Sequence, residues 1–434
     1  MNSQIDIVQS SLILKSKKYL SECKKKGIEI TSSPFCDLTT WINSIGYQKV
    51  LLINNNKFLS KNYIKYFFLE FLNVGRFKFN YNIYPNNLYK KKKKINIIYS
   101  YSWKENFKNN IFYDNYFKVN SQDSNFFFIL ISIDGFLPKK IKNCLIIKRT
   151  KTLFNPIIFL NHLIKKVFCK NFFHRFNSTN IFNEFIQNIF EKEVPKKKAN
   201  ILIPYESRPH QNALVTAAKK KNNNNNILCY LHNMPWPFQL DMIYKGVKID
   251  KLLVCSNIQK EVFKNNYFWP KKFLKTIPSL RFNEIRNRKK TIFLPFDLTE
   301  NNQKLLEGFK VLISKISFDI KKYKISIHPL KKFSKNHINL KKELLTIIKK
   351  SKKNNTKMKI LDPIIFSHPG GTATECLQVC NSLYHITSDK LHVFSKRIWK
   401  SIKILKIEKN VYKYDSRNTK FLILDKKKSI KNII

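Results

Sequence analysis

Short, mostly apolar runs that alternate with helix-length stretches set the first limit on how this chain folds. Ile201–Ile203, Ile227–Leu231, Leu252–Cys255, Thr291–Pro295, Lys324–Ile327, Ile364–Phe366 and Leu383–Ile386 are the length of strands, not helices. Between them, Pro209–Lys221, Gln259–Asn265, Asn302–Ile316, Leu340–Lys350 and Thr374–Cys380 read as helices. A strand with no in/out alternation is covered on both faces, so the pattern predicts parallel sheets layered between helices. The series breaks at the polar, basic stretch 283–290 and then restarts. A length of 434 residues is too great for one ordinary core. The expected fold class is therefore α/β, with two Rossmann-like doubly wound domains facing across a cleft. The domains are placed at 1–285 and 286–415, with 416–434 as a basic C-terminal tail.

The first half is less regular. Ile95–Tyr99, Phe126–Ile133 and Leu145–Ile147 read as buried strands, and 152–193 as mostly helical. Residues 1–90 mix helical periodicity with one clear strand at Val50–Ile53. The longest apolar run, Phe126–Ile133, is too short to span a bilayer, and the start of the chain lacks the apolar core of a signal peptide. The eight cysteines form no CxxC pair, which suits buried thiols in a reducing compartment. A cytoplasmic protein is expected, resting at most on the inner face of a membrane.

The formal net charge is +54. Two explanations stay open. Lys, Asn, Ile and Phe all have A/T-rich codons, and their excess is spread along the whole chain. Alternatively the charge serves binding to polyanions or an anionic membrane surface. No nucleic-acid motif accompanies it, so no specific nucleic acid is expected as partner.

In open parallel sheets ligands bind beyond the carboxyl ends of the strands. That rule selects Glu206 after 201–203, His232 after 227–231, His328 after 324–327 and His368 after 364–366. The strongest element is His368-Pro-Gly370-Gly371-Thr372-Ala-Thr374-Glu375. The chain has only eight glycines, yet two are adjacent here, ahead of a helix whose free N–H groups and positive dipole end suit a phosphate. Thr372-x-x-Glu375 is equally a capping box. Glu206, in Pro204-Tyr-Glu-Ser-Arg208-Pro209, is either a general base or a helix-capping acid. Arg281, near the linker, suits a diphosphate, a carboxylate or an interdomain ion pair. P-loop, GxGxxG, HExxH, GxSxG and DxD patterns are all missing, so neither a metal nor a cofactor is called for.

Asp250–Ser256 with Lys275–Pro278, followed by Thr291–Pro295 and Gly370–Glu375, resembles the domain junction and donor phosphate loop of GT-B glycosyltransferases. Tyr205-Glu206, Tyr230-x-His232, Pro278-Ser-x-Arg281, His328-Pro329 and His368-Pro-Gly-Gly resemble, more narrowly, bacterial surface-polysaccharide enzymes such as sialyltransferases and Kdo transferases. The Asp-Asp-Gly-type motif of the sialyltransferases is missing. The resemblance covers residues 200–390. It implies a metal-independent transfer from a nucleotide sugar to a glycan acceptor of capsule, O-antigen or lipopolysaccharide. Glu206 would be the catalytic base. His232, Arg281, His328, His368, Gly370, Gly371, Thr372, Thr374 and Glu375 would bind substrate. A nucleotide-sugar epimerase or hydrolase of the same fold, or a non-enzymatic polyanion- or membrane-binding protein, are the alternatives.

Overall fold

The computed structural model describes residues 4–33, 68–84, 95–169, 172–232, 240–281, 289–295, 302–316, 319–328, 331–351, 362–366, 371–387, 401–416, 421–425 and 429–434. The strand expected at Val50–Ile53 and the linker at 283–288 lie outside them. The chain divides into two compact units. One comprises Ile13–His232, Gln239–Asn283 and Leu424–Ile434; the other comprises Met1–Leu12, Asn233–Phe238 and Glu284–Ile423.

The larger unit holds an eight-stranded sheet. Its strands are β1 (Phe77–Tyr84), β2 (Ile95–Ser102), β5 (Phe126–Ser132), β6 (Cys144–Lys151), β7 (Ala199–Pro204), β8 (Asn226–Tyr230), β9 (Lys251–Val254) and β10 (Leu274–Thr276). A two-stranded hairpin, β3 (Phe107–Lys108) and β4 (Ile111–Phe112), stands apart. The strand order is β1-β6-β5-β2-β7-β8-β9-β10, all parallel except β1 at the edge. The chain runs outward from β2 through β5 to β6, then returns to the other side of β2 with β7. Its direction reverses between β2 and β7, which is the Rossmann switch point.

Burial explains the apolar runs. Every residue of β5 and of β7 is buried, and β8 and β9 are buried but for their first residues. Each large apolar side chain sunk this way contributes ~1.5–3 kcal/mol over its exposed state. The end of the chain returns here as well: Ile430 is fully buried and Lys431 pairs with Asp123 at 2.6 Å.

The smaller unit holds a six-stranded sheet of β11 (Thr291–Phe293), β12 (Lys324–Ser326), β13 (Ile364–Phe366), β14 (Ser382–Ile386), β15 (Lys403–Glu408) and β16 (Val411–Asp415). The order is β12-β11-β13-β14-β16-β15. The first four are parallel, and β15–β16 add an antiparallel hairpin to the edge of β14. Here the reversal lies between β11 and β13. Helices Asn302–Lys315 and Lys335–Lys350 bury Leu305, Phe309, Leu312, Leu340 and Leu344 against this sheet. Gly308 permits the approach, since a Cβ there would meet Ile386 Cγ2 at 2.9 Å.

Both sheets match the expected α/β, doubly wound class. Among the described residues no helix is long and apolar enough to cross a membrane. The described cysteines are all free.

Candidate functional site

The switch point of the eight-stranded sheet carries the densest polar chemistry. β7 ends at Pro204, and Pro209 opens the helix Pro209–Lys221. A proline at the first helical position has its φ already set, and it forces the residue before it into extended backbone. Arg208 is extended, with ψ 147°. Ser207 is left-handed at φ 56°, an unfavourable state for a residue with a Cβ. The helix's first turn holds this loop in place. Gln211 Oε1 accepts from the Glu206 N–H at 2.9 Å and the Arg208 N–H at 3.2 Å. Its Nε2 donates to the Pro204 carbonyl at 2.8 Å and to the Tyr101 hydroxyl, at the end of β2, at 3.1 Å.

β7 and β8 pair with Pro204 opposite Tyr230. Glu206 and His232 each lie two residues further on, and they face one another. His232 Nε2 is 3.4 Å from Glu206 Oε1. Arg208 Nε is 3.4 Å from Glu206 Oε2. His232 is buried, and its Nδ1 has no hydrogen-bond partner among the described residues. Burial works to raise the Glu206 pKa, but contact with His232 and then with Arg208 outweighs it and holds the carboxyl at about 2. Glu206 is thus ionised across the neutral range.

Tyr116 stands edge-on to His232, ring centroids 4.6 Å apart. Arg281 places its guanidinium 5.8 Å from the centroid of the same ring. Burial, followed by the charge of Glu206, pushes the Tyr116 phenol above its ordinary pKa, so it stays a neutral hydrogen-bonding group. Three residues chosen from sequence, Glu206, His232 and Arg281, are therefore gathered through Tyr116. Neither Tyr116 nor Gln211 carries a sequence motif. The same holds for His210, whose two ring nitrogens lie 2.8 Å from the Tyr99 hydroxyl and 3.4 Å from that of Tyr101.

The remaining sequence candidates belong to the smaller unit. His368 and Gly370 lie outside the described residues. The helix expected from Thr374 opens at Gly371 instead and runs to Cys380. Thr372 and Thr374 consequently sit inside its first turn, so Thr372 is not the cap residue of a Thr-x-x-Glu box. Thr374 is buried, while Thr372 and Glu375 are half-buried. His328, just past β12, is exposed. Among the described residues, two further histidines of this unit are structural. His337 bonds Ser334 and the Pro295 carbonyl, each at 2.9 Å, and His385 meets the Tyr414 hydroxyl at 2.7 Å in the core.

Among the described residues no group of three His, Cys, Asp or Glu is arranged to hold a metal ion. An ionised carboxylate against a buried imidazole can take up a proton and stabilise the cation that results.

No protein-family model matches the chain, and no curated protein matches it. Solved structures with some likeness include a glycosyltransferase from Rickettsia africae ESF-5, at 14% identity and TM-score 0.30, covering 69% of this chain and 80% of that one. A second is of accessory secretory proteins 1, 2 and 3 of Streptococcus pneumoniae, at 13% identity and TM-score 0.28, covering 50% and 46%. A third, from Listeria monocytogenes, is assigned as a UDP-N-acetylglucosamine 2-epimerase, at 8% identity and TM-score 0.34, covering 71% and 82%. All three likenesses are distant.

Proposed function

We propose that the chain is a metal-independent glycosyltransferase of the GT-B type, moving a sugar from a nucleotide-sugar donor to a surface glycan. The observation that supports it is the Glu206–His232 pair at the switch point of the eight-stranded sheet. Deprotonating an acceptor hydroxyl calls for a base poised near the working pH. A carboxyl held at about 2 is too weak a base to do so alone. The two are assigned the acceptor proton together, with Glu206 held against the His232 ring. Tyr116 and Arg281 border the acceptor beside them.

Donor phosphate is assigned to the smaller unit, on the first-turn N–H groups from Gly371 onward, Thr372 and His328. Helix-start N–H groups and the dipole favour such an anion. His368 and Gly370 complete this assignment from sequence, and Glu375 is assigned the donor ribose. Fixed donors at the leaving phosphate supply the largest expected catalytic term, ~3–4 kcal/mol for one good donor.

Thermal-shift titration with CMP-, UDP- and GDP-linked sugars tests the reading. One of them should raise the Tm, and turnover should then need an added glycan. Failure of all three to stabilise the protein removes the donor assignment. Release of free nucleotide without an acceptor would instead indicate a hydrolase or an epimerase.

A further inference from the structure

The larger unit carries an apolar face that it does not bury. Helix Pro156–Lys166 has no buried residue. Its inner side is nonetheless fixed: Phe159 and Leu163 pack against the cluster of Val74, Phe176 and Ile181. Asn155 caps its start, accepting from the N–H groups of Ile157 and Ile158 at 3.0 and 3.1 Å. Lys166 pairs with Glu184. The opposite side is therefore presented at a set angle. It shows Ile157, Leu160 and Ile164 at helical spacing, 68%, 50% and 70% exposed, with Leu153 before them and Phe168 after them at 92% and 97%.

Charge near this stripe is mainly positive, with Glu184, paired to Lys166, the acid on the helix's packed side. Residues 135–183 contain ten Lys or Arg and no Asp or Glu. Lys151 and Lys165, both exposed, lie at the ends of β6 and of the helix. An apolar stripe edged by cations is the signature of a helix lying in the headgroup layer of an anionic bilayer. A second copy of the chain is a poor occupant, because it would bring the same cations into the contact.

We propose that Pro156–Lys166, continued to Phe168, seats the protein on an anionic lipid surface, with Ile157, Leu160, Ile164 and Phe168 entering the acyl boundary. The helix leaves the carboxyl end of β6, on the same side of the sheet as Glu206. Three strand spacings, β6 to β5 to β2 to β7, separate the two strand ends, roughly 14 Å. A lipid-linked acceptor would thus be delivered to the edge on which the Glu206–His232 pair opens. That consequence rests on the glycosyltransferase reading; the membrane contact does not.

The test is co-sedimentation of the full chain with phosphatidylcholine vesicles, with and without about one-third phosphatidylglycerol, at low salt and at about 0.5 M salt. The wild type should bind the anionic vesicles and keep part of that binding in high salt. The combined substitution Ile157→Asn, Ile164→Asn, Phe168→Asn should bind at least ~100-fold more weakly. A separate Phe168→Trp variant should have its indole fluorescence at that position quenched by brominated lipid, which reports insertion even if the triple variant fails to fold. Unchanged binding by the triple variant, or no quenching in the Phe168→Trp variant, overturns the proposal in favour of charge alone. A wild-type dimer that the triple variant dissolves without vesicles overturns it in favour of a second copy. Loss of nucleotide protection with vesicle binding intact would count against the donor assignment and leave the membrane contact standing.

Discussion

The two sheets reverse direction in the same way and equip the reversal differently. At the β2/β7 switch the loop ends hold titratable side chains against one another: Glu206, His232 and Arg208, with Tyr101 and Tyr116 close by. At the β11/β13 switch the helix that follows β13 starts at Gly371, and its first turn carries backbone N–H groups and the Thr372 hydroxyl. The first arrangement suits moving protons; the second suits holding an anion. A fold that supplies one kind of crevice twice can equip each with a different chemistry without any change of architecture.

The sharpest way to break this contrast is to remove the imidazole. His232→Ala should lower kcat by ~10²–10⁴-fold while leaving the nucleotide-induced Tm rise in place. Equal loss of nucleotide protection would erase the division of labour. The reciprocal change, Thr372→Val, should weaken nucleotide binding by ~10-fold or more, as for one hydrogen bond to a charged group, with less effect on kcat; isothermal titration reads it. Gly308→Ala should cost ~1–3 kcal/mol in urea unfolding, because its Cβ has nowhere to go beside Ile386, and the cost should appear without loss of the Glu206–His232 chemistry. Gln211→Leu should loosen the loop that carries Glu206 for ~1–3 kcal/mol of stability, with a fall in kcat larger than the change in KM.

Acid gives the finest test. The Glu206 pKa lies below its unfolded value, so its stabilising contribution is complete above the usual carboxyl range and is lost as pH falls toward about 2. Wild type should lose stability over that interval more steeply than Glu206→Gln, as measured by Tm against pH.

Much of this layout is legible in the sequence because burial and spacing coincide. Helix Pro209–Lys221 and strand Ile364–Phe366 fall where the apolar pattern puts them. Glu206 and His232 are recognisable as separate strand ends. Their contact needs the β7–β8 register, which no local pattern carries. Tyr116 is hidden because it arrives on the excursion between β2 and β5, where its sequence neighbours have no periodicity. The helix Gly371–Cys380 starts earlier than expected, since adjacent glycines read as a turn, yet Gly371 occupies the first helical turn. β1, Phe77–Tyr84, alternates polar and apolar residues at a half-exposed edge, unlike the buried runs by which the other strands are recognised. β15 and β16 carry lysines within short apolar stretches, which blurs their period.

The larger unit is interrupted in sequence. Its members Ile13–His232 and Gln239–Asn283 are joined by Leu424–Ile434 only after residues 284–423, a gap of 140 residues, have passed. At a ribosomal pace of ~5–20 residues per second, the wait between the last strand of this sheet and the segment that brings Ile430 and Lys431 is roughly 8 to 30 seconds. During that time Asp123 lacks its Lys431 partner and the surface that Ile430 covers is bare. A nascent chain stalled before residue 424 should therefore be more accessible to chaperones and proteases at that surface than one in which residues 424–434 have emerged.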